Sequence, residues 1–225
     1  MTSLGASPHE VVSRITQLPR PCLVGLTGSV AVGKTTLANR WAVSLKPAGV
    51  AVVSTDGFLF PNAVLERRGQ MHKKGFPETY DLAALRDVLS ILASGIPVAV
   101  PQYSHTTYDV VVTERIVPAA DIYIIEGVAA FAHRDLLDLA VYLDADEADV
   151  YEWYSARVRN EIYKARSDDR SFYRQFIDMA PDDIELFMLE IWRSVNAINL
   201  HTHIEPQRDL ADVILRKNAA HEFVS

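Results

Sequence analysis

Apolar residues follow two rhythms along this chain. Short unbroken apolar runs alternate with stretches in which apolar residues recur every three or four positions. Cys22–Leu26 is a run of the first kind. A glycine-rich turn comes next, and then Thr35–Lys46 at helical spacing, with Leu37, Trp41 and Leu45 on one side. Val50–Val53 is a second run, closed by the polar turn "STDGF". Residues 57–80 hold no sustained period and predict a long functional loop with short helical pieces. Asp81–Leu92 returns to helical spacing and stops at Gly95.

The second half repeats the theme. "PVAVPQY" and "YDVVVTERIVP" predict two short strands beside the main sheet. "DIYIIEG" reads as a central parallel strand and "LAVYLDAD" as another. Ala148–Lys164 predicts a helix. Pro181–Leu200 predicts a second, with Ile184, Phe187, Met188, Ile191, Val195 and Ile198 on one face. "DVILRKN" is a last strand. Strands alternating with helices predict an α/β fold, a mostly parallel sheet covered by helices on both faces. The pattern offers no linker that would divide residues 1–225, so one domain is expected.

Composition narrows the setting. No apolar run in the 225 residues approaches the roughly 20 needed to span a membrane. The N-terminal residues lack the basic start and apolar stretch of a secretory signal. The single cysteine, Cys22, lies inside an apolar run and is expected to be a buried structural thiol. A cytoplasmic protein is expected, without a membrane partner. The net charge of −7 argues against a nucleic-acid partner, which needs clustered Lys and Arg. It leaves room for one small anion held by backbone N–H groups.

Such a site is written in the turn. Gly28-Ser29-Val30-Ala31-Val32-Gly33-Lys34-Thr35-Thr36 matches the phosphate-loop pattern G-x(4)-G-K-[ST] between a strand and a helix. Glycines let backbone N–H groups wrap a β-phosphate. Lys34 reaches the β- and γ-oxygens, and the Thr35 hydroxyl ligates Mg2+. The motif specifies ATP or another triphosphate, not the reaction. Asp56 follows the second strand at the same sheet edge. A carboxylate there can accept a proton from an attacking hydroxyl, or hold Mg2+ through water, or close an Asp-Gly turn. Glu126 ends "IYIIE", where an acidic side chain stands near the metal.

With their neighbours these pieces resemble the bacterial type I pantothenate kinases of the phosphoribulokinase/uridine kinase group. The stretches that carry the resemblance are "GSVAVGKTT", "STDGFLFPNAVLERRGQMHKKGFPETYD", "PQYSHTTYDVV", "IIEG", "VYLDA", "WYSARV", "IWRSVNAINL" and "LRKNAAH". The resemblance implies an ATP- and Mg2+-dependent phosphoryl transfer to a small-molecule alcohol, with pantothenate leading. Nucleoside or sugar kinases of the same group, and an inactive nucleotide-binding regulator, stand as alternatives. It implies Asp56 as base, and Tyr103 and His105 beside the acceptor. It also implies Tyr154 and Asn196 as hydrogen-bond partners of the pantothenate moiety. Arg157 would neutralise charge on the transferred group, and His221 would lie near the adenine. A homodimer is also implied, although the short N-terminal region leaves that open. Lys73 and Lys74 read as loop-surface charges.

Departures matter too. The family places phenylalanines along the helix after "WY" and in the segment beyond, as an apolar wall against the acceptor's pantetheine-like end. Here Val158, Glu161 and Arg166 occupy those places. Asn39 replaces a family arginine used for anionic nucleotide or coenzyme A contacts. Both changes together predict coenzyme A inhibition weakened by about two to four orders of magnitude.

Overall fold

The computed structural model describes residues 3–4 and 6–224. Its main sheet is built from β1 (Ser3–Leu4), β2 (Cys22–Gly28), β3 (Val50–Ser54), β6 (Ile122–Glu126), β7 (Leu139–Ala145) and β8 (Val213–Lys217). Their order across the sheet is β1-β8-β7-β2-β6-β3. All five neighbouring pairs are parallel. A short β9 (Phe223–Val224) adds antiparallel to β8. β2 and β6 are buried along their whole length, as unbroken apolar runs require of strands covered on both faces.

Helices α2 (Lys34–Ser44), α4 (Leu82–Ala93), α5 (Glu147–Ala165) and α6 (Pro181–Ile191) carry the expected stripes. The short α3 (Asn62–Arg67) is a helical piece of the long loop after β3. Two apolar clusters lie on the sheet's two faces. One joins α2 and α5 to β2, β6, β7 and β8, and includes Trp41, Val150 and Met188. The other joins α4 to the sheet through Leu85, Leu89 and Tyr123. Cys22 is fully buried with a free thiol, and Arg20 Nη1 donates to its sulfur at 2.9 Å.

The N-terminal residues hold a helix that apolar spacing alone did not mark: α1, Pro8–Gln17. Ser7 Oγ accepts from Glu10 N at 3.2 Å, and Glu10 Oε2 accepts from Ser7 N at 2.5 Å. This capping box, with proline at the first helical position, satisfies donors that a helix start leaves open. Val11 and Ile15 are then buried against the sheet.

The predicted helix over 181–200 is longer and less regular. After α6 the chain passes through a π-helical segment, Trp192–Asn196, three α-helical residues, Ala197–Asn199, and a second π-helical segment, Leu200–Ile204. Each π turn takes in an extra residue and rotates the rest of the helix about its axis. Ile198 therefore leaves the predicted apolar face and is exposed, while Asn199 and Leu200 are buried.

β4 (Val98–Ser104) and β5 (Asp109–Val117) form a separate antiparallel ribbon. Its register shifts between Val100 and Gln102, around Pro101, which has no N–H to give the ladder. A Cβ at Gly57 would stand 2.3 Å from the Pro101 carbonyl oxygen. Glycine at position 57 thus lets the turn Thr55–Phe58 press onto β4 and fixes where Asp56 stands.

Candidate active site

The phosphate loop runs from the C-terminal end of β2 to the start of α2. Gly28 has φ +142° and Gly33 φ +96°, and Ala31 also adopts a positive φ of 61°. A Cβ at Gly28 would meet the Leu143 carbonyl at 2.3 Å, so the loop starts where only glycine fits. Lys34 folds into the loop, its ammonium donating to the carbonyls of Gly28 at 3.0 Å and Ser29 at 2.8 Å. Val32 is fully buried, and its carbonyl accepts from Lys217 Nζ at 3.0 Å. The Ser29 hydroxyl is buried without a partner among the described residues.

Parallel pairing of β2 with β6 brings Glu126 to the same edge, opposite Leu26. The Thr35 hydroxyl donates to Glu126 Oε1 at 3.1 Å. Burial pushes the Glu126 carboxyl up, against the pull of Lys34. Burial likewise brings the Lys34 ammonium down to about 8, opposed by the charges of Glu126 and Asp56 and reinforced by Arg157. These four charged groups therefore feel one another across a single cavity of about 510 Å3.

That cavity brings together most of the expected site. Val30, Ala31, Gly33, Lys34, Thr35 and Thr36 of the loop line it, together with Asp56, Glu126 and Arg157 and with Tyr103, His105 and Asn196. His221 also lines it, its ring stacked on Trp153 with centroids 4.1 Å apart. Trp153 carries no signal in the sequence beyond its place next to Tyr154. Gly28, Ser29 and Val32 lie outside the lining and shape the loop from behind.

Tyr154 also stands outside the lining. Its ring is buried against Trp192 with centroids 5.6 Å apart, and burial pushes its hydroxyl up to about 12. Asn196, which lines the cavity, lies beside that hydroxyl.

Two corrections concern charge and aromatic surface. Lys73 is a surface charge paired with Glu78 at 3.0 Å, but Lys74 points inward and lines the cavity. Its ammonium donates to Asn62 Oδ1 at 2.6 Å and the Tyr108 carbonyl at 2.5 Å, and lies 5.0 Å from the Tyr103 ring centroid. Burial brings it down to about 8, against the charges of Asp109 and Asp56. An aromatic cluster stands at other positions, behind the cavity-lining Tyr108. Tyr108 stacks on Phe172 at 4.7 Å, and Phe172, Tyr173, Phe176 and Phe187 continue the cluster. Val158 is buried in the core, Arg166 is exposed, and Glu161 is paired with Lys164 at 2.8 Å.

A phosphate loop, a facing acid at the next strand end and an inward arginine from a later helix are the layout of a phosphoryl-transfer site. Residues 23–164 match the model of the phosphoribulokinase / uridine kinase family. The chain belongs to that family. Within it, the chain is similar to the pantothenate kinase of Streptococcus pneumoniae (strain P1031), with 39% identity over 217 residues covering 91% of this chain and 71% of the relative. Among solved structures, its fold is similar to that of a protein from Silicibacter sp. TM1040, with a TM-score of 0.75 and 22% identity over 93% of this chain and 99% of that one. It also resembles phosphoribulokinase from Rhodobacter spheroides, with a TM-score of 0.53 and 15% identity over 88% and 71% of the two chains. The phosphoribulokinase/uridine kinase fold is thus shared across acceptors of different chemistry, and the rest of the cavity lining has to decide between them. Among the described residues no helix is long and apolar enough to cross a membrane.

Proposed function

We propose that this protein transfers the γ-phosphoryl group of ATP to the hydroxyl of pantothenate. One arrangement carries the reading: Lys34, Asp56, Glu126 and Arg157 converge on one cavity that Lys74, His105 and Asn196 also line. The acceptor hydroxyl would face Asp56, which takes its proton as the new O–P bond forms. The bond from the γ-phosphorus to the β,γ-bridging oxygen breaks, and ADP leaves. Lys34 and Arg157 neutralise charge on the transferring oxygens, and the phosphate-loop N–H groups hold the β-phosphate.

The Thr35 hydroxyl and Glu126 carboxylate suit Mg2+, a hard cation bound through one or two protein oxygens plus phosphate oxygens and water. Bound there, the ion would supply charge neutralisation between the β- and γ-phosphates. Lys74 favours an anionic acceptor, since two of its three N–H donors are used within the protein and one remains for a ligand. The similarity to a pantothenate kinase points the same way.

The test is ADP release with pantothenate, pantetheine, uridine, cytidine, fructose and ribulose 5-phosphate. Pantothenate-dependent release is expected. Release only with a nucleoside or sugar would overturn the acceptor. ATP binding without acceptor-dependent release would point to a regulator.

A further inference from the structure

Beside the catalytic cavity lies a second one of about 190 Å3. The two share Gly75, Tyr80, Val128, Asn199 and Ile204, so they meet along one boundary. Beyond it the walls are mainly apolar, with Leu82, Ala129 and Phe131 the principal surfaces. Tyr80, Ala129 and Phe131 are all buried.

The boundary holds a buried acceptor without a partner. Asn199 is only 8% exposed. Its Nδ2 donates to the Gly75 carbonyl at 2.9 Å, while its Oδ1 has no partner among the described residues. A buried acceptor left unpaired is costly, and native structures rarely keep one without a use. Gln207, the neighbouring amide, differs: its Nε2 donates to the carbonyls of Val128 and His203, and its Oε1 accepts from Thr27. Gln207 is therefore framework, whereas Asn199 Oδ1 is a polar atom at the neck left without a partner among the described residues.

We infer that the side cavity is a ligand subsite for an uncharged apolar arm, joined to the rest of its molecule by an N–H or O–H that donates to Asn199 Oδ1. The inference rests on reading the larger cavity as the acceptor site. Size sets the arm, because an apolar cavity of about 150 Å3 accommodates benzene. A ring of about six heavy atoms fits this one with its donor at the neck. Charge is disfavoured by the apolar walls. The subsite is separate from the aromatic cluster around Phe172, which lies toward Tyr108.

Benzamide and acetophenone make a direct probe pair. They have nearly the same shape, and only benzamide carries an N–H. Binding is read by ligand-observed NMR on the native protein without nucleotide, so the result stands whether or not pantothenate is phosphorylated. Benzamide is expected to bind near about 1 mM and acetophenone about tenfold more weakly. Ala129→Leu, which fills the cavity, should abolish benzamide binding while ATP binding, measured separately, persists. Should that variant not fold, Ala132→Trp at the exposed rim should block entry instead. No benzamide binding up to 20 mM (about twentyfold above the expected constant), equal binding of the two probes, or unchanged binding in the filled variant would each overturn the inference.

Discussion

The Thr35 hydroxyl donates to Glu126 Oε1 at 3.1 Å, linking the start of α2 to the end of β6. The contact makes one oxygen-rich edge from two segments far apart in sequence. Glu126→Gln keeps the shape and the hydrogen-bond acceptor but removes the negative charge. Turnover should fall about 10–100-fold, with a higher Mg2+ concentration needed for half-maximal rate. A Mg2+ titration of ADP release checks this, and an unchanged midpoint would assign Glu126 a structural role only.

Asp56→Asn should leave ATP binding intact and lower kcat about 10²–10⁴-fold, the range of general acid–base assistance. Lys34→Ala should weaken both nucleotide binding and turnover. Near-normal kcat in Asp56→Asn would reduce Asp56 to a residue of the Thr55–Phe58 turn.

Lys74 predicts opposite pH trends for stability and for acceptor binding. Its ammonium titrates near 8 in the folded chain against an ordinary 10.5. Between those values the unfolded chain holds more protons at this site, so the Lys74 contribution to stability rises with pH. Over the same range the folded protein loses a positive charge from the acceptor wall, so the acceptor KM should rise. Lys74→Met should flatten the KM trend and reduce the stability trend from pH 7.5 to 9.5, the remaining rise belonging to Lys34, which burial also brings down to about 8; the range lies below the ordinary tyrosine value of about 10. Thermal melts and acceptor KM at matched ionic strength test it. A KM trend unaltered by Lys74→Met would place the titrating group elsewhere.

Coenzyme A inhibition should be weak by less than the sequence implies. On the reading that the cluster of Phe172, Tyr173 and Phe176 behind Tyr108 serves as that wall, the cation missing at Asn39 is the difference that remains. One charge-assisted contact is worth about 1.5–3 kcal/mol, or about 10- to 150-fold. Asn39→Arg should tighten inhibition by that factor in a coenzyme A titration at fixed ATP. No change would show that position 39 lies outside the inhibitor's reach.

Local chemistry alone decided how much could be read before folding. The phosphate loop comes from a short pattern with one physical use, whereas Asp56 reads equally as a base, a Mg2+ partner or a turn residue. Ser7 and Glu10 also carried their helix start in plain sequence, although the apolar rhythm there was too short to draw notice. Lys73 and Lys74 were not separable, because two adjacent lysines look alike until the chain turns one toward Glu78 and the other toward Tyr108. Phe172 was hidden for a different reason. Its place beside the cavity depends on a long-range bond from its N–H to the Thr106 carbonyl at 2.7 Å, which no spacing rule foretells. The π turns escaped because they are rare and leave no strong mark in composition.

Those two π turns make helical phase a means of changing specificity. Asn196 faces the catalytic cavity, Asn199 the neck and His203 the side cavity, all from one continuous stretch. Rewinding Trp192–Asn196 as ordinary α-helix at unchanged length would turn everything beyond it by about one residue's rotation, about 100°. Asn199 would then swing out of the neck with no residue in either cavity having been replaced. Substitutions that rewind this π turn without changing the chain length can therefore redirect the enzyme toward a different small molecule, a route to new acceptors that alignments of lining residues alone would overlook.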